Sequence, residues 1–204
     1  MQKDFFWHAA CEKERIPKLL MRRRPMTQSE QSPDPLADAS AEAVKHDWRR
    51  VGTQGLIAHI LVRFHQRHRE QLPEMIRLAR RVEVAHGEQL SCPRGLADLL
   101  LALQQGLESH MMKEEQVLFP NLASADPAVL AAPIAVMRFE HEQHLAALAQ
   151  IDALTGSLTL PAAACNSWRS LYGALATFRR DLREHLQLEE TVLFAGTADV
   201  VAAA

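Results

Sequence analysis

Residues 168–194 read WRSLYGALATFRRDLREHLQLEETVLF, and apolar side chains recur in this stretch at alternating spacings of three and four residues. That spacing is typical of a helix with one face against a core. Along this face lie Trp168, Leu171, Leu175, Phe178, Leu182, His185, Glu189 and Val192. A carboxylate among core positions is unfavourable unless it is paired or bound to a metal. The stretch therefore predicts a core helix in which His185 and Glu189 serve chemistry rather than packing.

The same spacing predicts three more helices upstream, separated by proline and glycine. The four predicted helices run roughly from Thr53 to His86, Pro93 to Pro120, Pro133 to Gly156 and Pro161 to Gly196, and we expect a kink at Pro73. Connections this short favour antiparallel neighbours. No segment alternates with period two for long enough to form a sheet. We therefore predict an all-α fold, an up-down-up-down four-helix bundle.

Each of the other three helices also carries histidine on its predicted core face. The face of the first helix comprises Leu61, His65, His68, Leu72, Met75, Ala79, Val82 and His86. The face of the second comprises Leu96, Leu100, Leu103, Leu107, His110, Glu114 and Val117. The face of the third comprises Ile134, Met137, His141, His144 and Leu148. All four helices therefore direct at least one imidazole toward a common interior.

The polar core positions repeat along the chain. The motif HxxxExxxLF occurs at 110–119 and again, 75 residues later, at 185–194. The tripeptide RFH at 63–65 is echoed by RFEH at 138–141, with the two histidines 76 residues apart. A His and a Glu four residues apart lie one helical turn apart on the same face. These repeats predict a duplicated helical hairpin with two related half-sites.

Six side chains are predicted to meet at one level of the bundle and to bind metal. They are His65, His110, Glu114, His141, His185 and Glu189. Six ligands exceed what one tetrahedral zinc ion uses, and imidazole with carboxylate but no thiolate suits iron or manganese. We expect two iron ions, bridged by Glu114 and Glu189 and by an oxo or hydroxo group.

Four further polar residues lie on or beside the same faces. His68, His86 and His144 are expected to be core or boundary histidines, candidates for contact with the ligands rather than with the metal. Glu140 has two interpretations: it orients an imidazole or lines the path of ion entry, or it is a solvated helix-face residue. Ferritin-like sites use paired Glu-x-x-His motifs, and only Glu83 and His86 have that spacing here, which argues against iron storage.

Composition bounds the rest of the prediction. The chain has 204 residues, of which 48% are apolar, enough for one buried domain with a short appendage. We expect a helical or linker extension over 1–45, the bundle over 46–197 and a tail over 198–204. The net charge is −2 and acidic and basic residues are interspersed, which predicts no binding to nucleic acid or membranes. No apolar run is long enough to span a membrane. The widely separated cysteines argue against disulfides and thiolate metal sites, and we expect a cytoplasmic protein.

From about Asp47 to Phe194 the chain resembles the hemerythrin-like domain of the iron–sulfur cluster repair di-iron proteins, the repair of iron centres family. The segments that carry the resemblance are HILVRFHQRHREQLPEM, HMMKEEQVLFP, PIAVMRFEHEQH, ACNSWRSLY and DLREHLQLEETVLF. The resemblance implies a non-haem di-iron centre of four His and two bridging Glu, which fall on the six residues above. It also implies a bacterial, cytosolic role in restoring iron–sulfur proteins damaged by nitric oxide or peroxide. Family members usually carry an N-terminal cysteine pair, whereas this chain offers only Cys11 there.

Two functions remain to be distinguished. In the first, an open di-iron centre donates iron to damaged clusters or reacts with nitric oxide, and a nitric oxide reductase type of activity would make the protein an enzyme. In the second, a hemerythrin-like carrier or sensor binds dioxygen or nitric oxide reversibly. Oxygen carriers generally use five His, so His68 or His144 would have to join the other four. A metal-free helical module would leave Glu114 and Glu189 without a purpose, and the sequence specifies no oligomeric state.

Overall fold

The computed structural model describes residues 48–122 and 127–195. By its internal contacts the chain divides into two compact units, Met1–Ser40 and Ala41–Ala204, and every described residue belongs to the second. The predicted extension over residues 1–45 and the predicted tail over 198–204 therefore lie outside the described residues.

Four long helices make up most of the described chain, and we name them α1 to α4. Helix α1 comprises Trp48–Ile60, Leu61–His65 and Gln66–His86; α2 comprises Leu96–Lys113, Glu114–Leu118 and Phe119–Asn121; α3 is Pro127–Thr155; α4 comprises Asn166–Leu188 and Glu189–Leu193. Helix α1 packs against α2 and α4, and α3 also packs against α2 and α4. The described residues contain no strand, and the predicted all-α bundle is confirmed. A membrane span would need a longer or more apolar helix than any in the described ranges.

Three π-helical turns interrupt these helices: Leu61–His65 in α1, Glu114–Leu118 in α2 and Glu189–Leu193 in α4. In each, a backbone N–H donates to the carbonyl five residues earlier, as Phe194 N does to Glu189 O at 2.8 Å. Such a turn inserts one extra residue into a helix and is frequent at functional sites. Each of the three begins or ends at a predicted metal ligand, namely His65, Glu114 or Glu189.

The extra residues change which side chains face the core. Three predicted apolar core residues are not fully buried, namely Val117, which is 53% exposed, Val192 and Leu61; His86, at the end of α1, is also half-buried. The neighbours of the three apolar residues are buried in their place, namely Leu118, Leu193 and Ile60. The predictions for the three apolar residues are wrong for one reason: they assume unbroken α-helical spacing, whereas Leu61, Val117 and Val192 each lie within a π turn. Helix α3 has no such turn, and its predicted core face is buried throughout, at Ile134, Met137, His141, His144 and Leu148.

Three helices begin at residues other than those predicted. Helix α2 begins at Leu96 rather than Pro93, α3 at Pro127 rather than Pro133, and α4 at Asn166 rather than Pro161. Pro133 fits inside α3 because proline fixes φ near the helical value, although it cannot donate a backbone hydrogen bond. Pro161 lies in a turn closed by Ala164 N donating to Pro161 O at 3.0 Å, and Cys165 is extended before α4 begins. Helix α1 is interrupted at Gly52, whose φ of 71° and ψ of 169° are not helical, so its regular part begins near the predicted Thr53. It remains helical through Pro73, and a π-helical turn lies at Leu61–His65.

Two separate apolar clusters fill the interior. The larger includes Leu72, Met75, Leu100, Leu107, Trp168 and Phe178. The smaller includes Ile60, Phe64, Leu118, Ile134, Leu193 and Phe194. Along α1, for example, Phe64 belongs to the smaller cluster and Leu72 to the larger, with His65 and His68 between them. The buried polar side chains therefore form a layer that separates the two clusters.

Candidate metal centre

Six buried polar side chains converge in this layer. They are His65 from α1, His110 and Glu114 from α2, His141 from α3, and His185 and Glu189 from α4. His141 is 5% exposed, and the other five are inaccessible to solvent. These are the six residues that the sequence singled out, and the structure brings all of them together.

The six residues form two overlapping groups of four. One group contains His65, Glu114, His185 and Glu189, and the other contains His110, Glu114, His141 and Glu189. Within each group, one donor atom of every residue lies within 4.8 Å of the others. Each group therefore has two histidines of its own, while Glu114 and Glu189 belong to both.

The glutamates lie between the histidines of the two groups. Glu114 Oε2 is 3.3 Å from His65 Nε2 and 3.5 Å from His110 Nε2. Glu189 contacts the other two imidazoles. Its Oε2 is 3.1 Å from His141 Nε2, and its Oε1 is 2.8 Å from His185 Nε2. Because each carboxylate touches one histidine from each group, each is placed to bridge two cations.

Many polar atoms of this layer are buried without a hydrogen-bond partner among the described residues. They include Nε2 of His65, His110 and His141, both carboxylate oxygens of Glu114, Oε2 of Glu189 and Nδ1 of His185. A buried polar group without a partner costs about 1–3 kcal/mol. Their concentration at one place is destabilising for a metal-free bundle, whereas two cations would satisfy the imidazole Nε2 atoms and the carboxylates. The donor set present in the chain therefore fits a pair of metal ions.

The two glutamates ionise differently because they share one buried site. Burial and the neighbouring Glu189 carboxylate raise the pKa of Glu114 well above its ordinary value. Burial also opposes ionisation of Glu189, but contacts with His185 and His141 hold the pKa of Glu189 well below its ordinary value. Without cations these opposite directions favour the protonated form of Glu114 and the ionised form of Glu189. Cations would supply positive charge and displace that proton.

Two imidazoles of the site, those of His65 and His110, are neutral at physiological pH. Burial, followed by the nearby His185, lowers the pKa of His65 to about 4. Burial is also the largest cause that lowers the pKa of His110, to about 3. Neutral imidazole is the form that binds metals, so these side chains are ready to act as ligands.

Two carboxylates outside the cluster fix the orientation of two of these rings. His65 Nδ1 lies 2.8 Å from Glu115 Oε1, and His110 Nδ1 lies 3.0 Å from Glu140 Oε2. A carboxylate only accepts, so each Nδ1 donates its proton and each Nε2 is left unprotonated for the cluster. The sequence predicts that Glu140 orients an imidazole or lines the path of ion entry, or else is solvated. The first of these roles requires contact with an imidazole, and Glu140 makes that contact with His110.

Glu115 is a residue that the sequence analysis did not single out. Arg69 Nη1 donates to its Oε1 at 2.9 Å, and Arg69 Nε donates to Glu108 Oε2 at 2.8 Å. In the second repeat Glu190 has the same place after a predicted ligand, but it pairs with Arg138 at 2.8 Å instead. Both residues directly follow a predicted ligand in sequence, so no sequence signal separates Glu115 from Glu190.

The three remaining core histidines fall in two different places. His68 and His144 are buried beside the centre, with ring centroids 5.3 Å from His185 and 5.2 Å from His110 respectively. Neither belongs to the two groups of four. His86 lies at the opposite end of α1, where its ring centroid is 5.0 Å from Trp168.

One surface cavity reaches the cluster. It has a volume of about 390 Å³ and lies between α3 and α4, lined in part by His141, Glu142, Leu145 and Leu186. His141 is also the one member of the cluster with measurable exposure. This cavity therefore offers small molecules or ions a short route to the candidate metal centre.

Comparison with known proteins gives a consistent match for this part of the chain. Residues 56–195 match the hemerythrin HHE cation binding domain, a range that contains all six clustered residues. The iron–sulfur cluster repair protein YtfE of Pectobacterium atrosepticum is 45% identical over 148 residues, which are 72% of this chain and 67% of that protein. The protein of the same name from Edwardsiella ictaluri is 44% identical over 160 residues, 78% of this chain and 72% of that protein.

Proposed function

Because the chain belongs to the hemerythrin HHE cation-binding family, and is closely related to the YtfE proteins, we propose that it binds two iron ions and repairs iron–sulfur clusters. The observation that carries this proposal is the pair of overlapping four-residue groups that share Glu114 and Glu189. In this proposal, His65 and His185 hold one ion, His110 and His141 hold the other, and both glutamates bridge.

Iron is the proposed metal because of the donors in the site. Imidazole nitrogen and carboxylate oxygen without thiolate suit iron, and the described cysteines, Cys92 and Cys165, are in neither group. Burial raises the pKa of Cys92, which disfavours the thiolate needed for metal binding. Two histidines and two shared carboxylates for each ion leave coordination positions free in both half-sites. Bound iron would supply redox chemistry and exchangeable positions for small ligands.

The chain's own residues hold and shield this centre. Glu115 and Glu140 keep the rings of His65 and His110 in the orientation that presents Nε2. Aromatic rings stack on three of the four clustered imidazoles. Phe119 stacks on His65 at 5.8 Å between ring centroids, Phe194 stacks on His141 at 5.8 Å, and Phe64 stacks on His185 at 5.0 Å. This apolar covering excludes bulk water and directs exchange toward the cavity beside His141.

A second candidate function is reversible binding of dioxygen or nitric oxide, as in a carrier or sensor of the hemerythrin class. The buried His68 and His144 beside the centre favour it, because either would raise the number of histidine ligands to five. The repair proposal differs in the fate of the metal. A centre with free positions on both ions should exchange iron, whereas a carrier should retain it through many cycles of ligand binding.

Iron content and iron transfer test the proposal together. Protein purified without oxygen should contain about two iron ions per chain, and His110→Ala or Glu189→Ala should remove them, whereas His86→Ala should not. The reduced protein should lose iron to a chelator or to a metal-free iron–sulfur protein within minutes. One zinc ion and no iron after iron-replete expression would contradict the metal assignment. A stable, reversible dioxygen spectrum that requires His68 or His144 would favour the carrier instead.

A further inference from the structure

Asp181 on α4 is a buried carboxylate for which the proposed function has no use. It is 1% exposed and lies on the core helix α4, next to Arg63, Gln71 and Arg180. Arg63 Nη2 donates to its Oδ1 at 3.0 Å, and Gln71 Nε2 donates to its Oδ2 at 3.0 Å. Burial opposes ionisation, but these two donors and the neighbouring Arg180, whose Nη2 is 3.3 Å from Oδ1, outweigh it and hold the pKa of Asp181 below its ordinary value. Asp181 is therefore a fixed anion that accepts hydrogen bonds from α1.

This anion determines the orientation of the Gln71 amide. A carboxylate only accepts, so Gln71 must turn its amide nitrogen toward Asp181 and its amide oxygen away. The oxygen, Oε1, lies 3.4 Å from Nδ1 of His68. Because an amide oxygen also only accepts, His68 Nδ1 must carry the proton. A neutral His68 then has an unprotonated Nε2 with a free lone pair.

The ring of His68 lies inside the bundle next to the candidate metal centre. Its Nε2 is buried and has no hydrogen-bond partner among the described residues. The ring centroid is 5.3 Å from that of His185, and Phe178 contacts the ring edge-on at 5.3 Å. His65 and His110 have the same proton on Nδ1, set there by Glu115 and Glu140. The Nδ1 proton of His68 is therefore fixed as it is in His65 and His110, but its acceptor is an amide oxygen instead of a carboxylate oxygen.

The hydrogen-bonded array of Asp181, Gln71 and His68 exists in only one half of the repeat. His144 is the counterpart of His68, 76 residues later, but the same offset places Ala147 at the position of Gln71. The 75-residue offset between α2 and α4 places Gly106 at the position of Asp181. A Cβ on Gly106 would lie 3.6 Å from His144 Cε1, so this position faces the second histidine with no side chain. Neither Ala147 nor Gly106 can form the hydrogen bonds that orient His68.

We propose that Asp181 and Gln71 fix the orientation of His68 beside the half-site of His65 and His185. In this orientation His68 Nε2 accepts a hydrogen bond from a water molecule, so this half-site has a third imidazole beside its two ligands. His68 is in this sense a positioning residue, and Asp181 and Gln71 act through it. The half-site of His110 and His141 lacks the array, so the two ions have unequal surroundings. This inference rests on the proposed function, because it concerns the same pair of ions.

Mössbauer spectroscopy of the protein loaded with ⁵⁷Fe tests the inference. The parent protein should give two quadrupole doublets of equal area, one for each half-site. Gln71→Leu and Asp181→Asn should shift one doublet and leave the other unchanged, because each removes the constraint on the His68 ring. The matched controls are Gln89→Leu, which removes an amide bonded to His86, and Asp152→Asn, which breaks the pair with Arg179. Both controls should leave the two doublets as in the parent.

Competition with a chelator provides a second measurement. Loss of an outer contact to a metal ligand typically weakens metal binding 10–100-fold. We expect Gln71→Leu and His68→Phe to release one of the two ions at about tenfold lower chelator concentration, with circular dichroism as a check on folding. A single doublet in the parent, or parent-like spectra and affinities in all three variants, would overturn the inference. Absence of iron from the parent protein would instead overturn the proposed function.

Discussion

At the scale of single residues, Glu114 is a fully buried carboxylate that belongs to both four-residue groups. Its two oxygens are buried without partners, and its pKa is raised by burial and by Glu189. We predict that Glu114→Leu abolishes binding of the ion pair and stabilises the metal-free protein by about 1–3 kcal/mol, the cost of an unsatisfied buried group. Chemical denaturation after chelator treatment measures this. Glu189→Leu is the control and should destabilise, because Glu189 has hydrogen bonds to lose. A less stable Glu114→Leu bundle would contradict the prediction.

Glu140 is the second residue whose role can be isolated. It accepts from His110 Nδ1 and also contacts Lys113, and these two contacts hold its pKa below the ordinary value against the effect of burial. We predict that Glu140→Gln weakens iron binding by about tenfold, because the amide no longer requires the proton on His110 Nδ1. Competition with a chelator measures this. Glu70→Gln, at an exposed position of α1, is the control and should bind iron as the parent does. Parent-like binding and release by Glu140→Gln would indicate a solvated side chain.

At the scale of the helices, regular spacing made the fold and the six clustered residues predictable from sequence. The predicted core face of α3 is buried throughout, because that helix is uninterrupted. The spacing fails at Val117 and Val192, where a π turn adds one residue that no pattern of apolar side chains announces. It also could not reveal Glu115 or Asp181, since their partners lie on other helices and depend on the packing angle.

The groove between α3 and α4 gives a prediction about iron release. If ions leave through the cavity beside His141, a large side chain at Leu145 should narrow the route without touching the ligands. We predict that Leu145→Trp slows iron loss to a chelator several-fold while the iron content stays at the parent value. Val136→Trp is the control, because Val136 is 47% exposed on the same helix and does not line the cavity. Equal release rates for the parent and Leu145→Trp would exclude this route.

At the scale of the whole molecule, buried neutral histidines make the metal-free protein sensitive to acid. Burial lowers the pKa of four of them to about 3 or 4, namely His65, His68, His110 and His144. Between pH 6.5 and 4 the unfolded chain binds protons that the folded chain does not. As the pH decreases through this range, the free energy of unfolding therefore decreases by up to about 1.4 kcal/mol per pH unit for each histidine. Glu114, with its raised pKa, acts in the opposite direction but is a single group.

We therefore predict that the melting temperature of chelator-treated protein falls steeply from pH 6.5 toward pH 4 and is much less dependent on pH above 7. Differential scanning calorimetry over this range measures it. Iron-loaded protein should melt at a higher temperature at every pH where the metal stays bound, because ions that bind only the folded chain stabilise it. A melting temperature that stays constant or rises as the pH drops below 6.5 would show that these histidines are not buried in neutral form.

The central claim is that two metal ions lie between the helices and share Glu114 and Glu189. Anomalous diffraction at the iron absorption edge, from crystals of the iron-loaded protein, tests it most directly. Two anomalous peaks of similar height are predicted, one bounded by His65 and His185 and the other by His110 and His141, with a carboxylate from each glutamate reaching both. A single peak, or two peaks of which one lies away from Glu114 and Glu189, would contradict the claim.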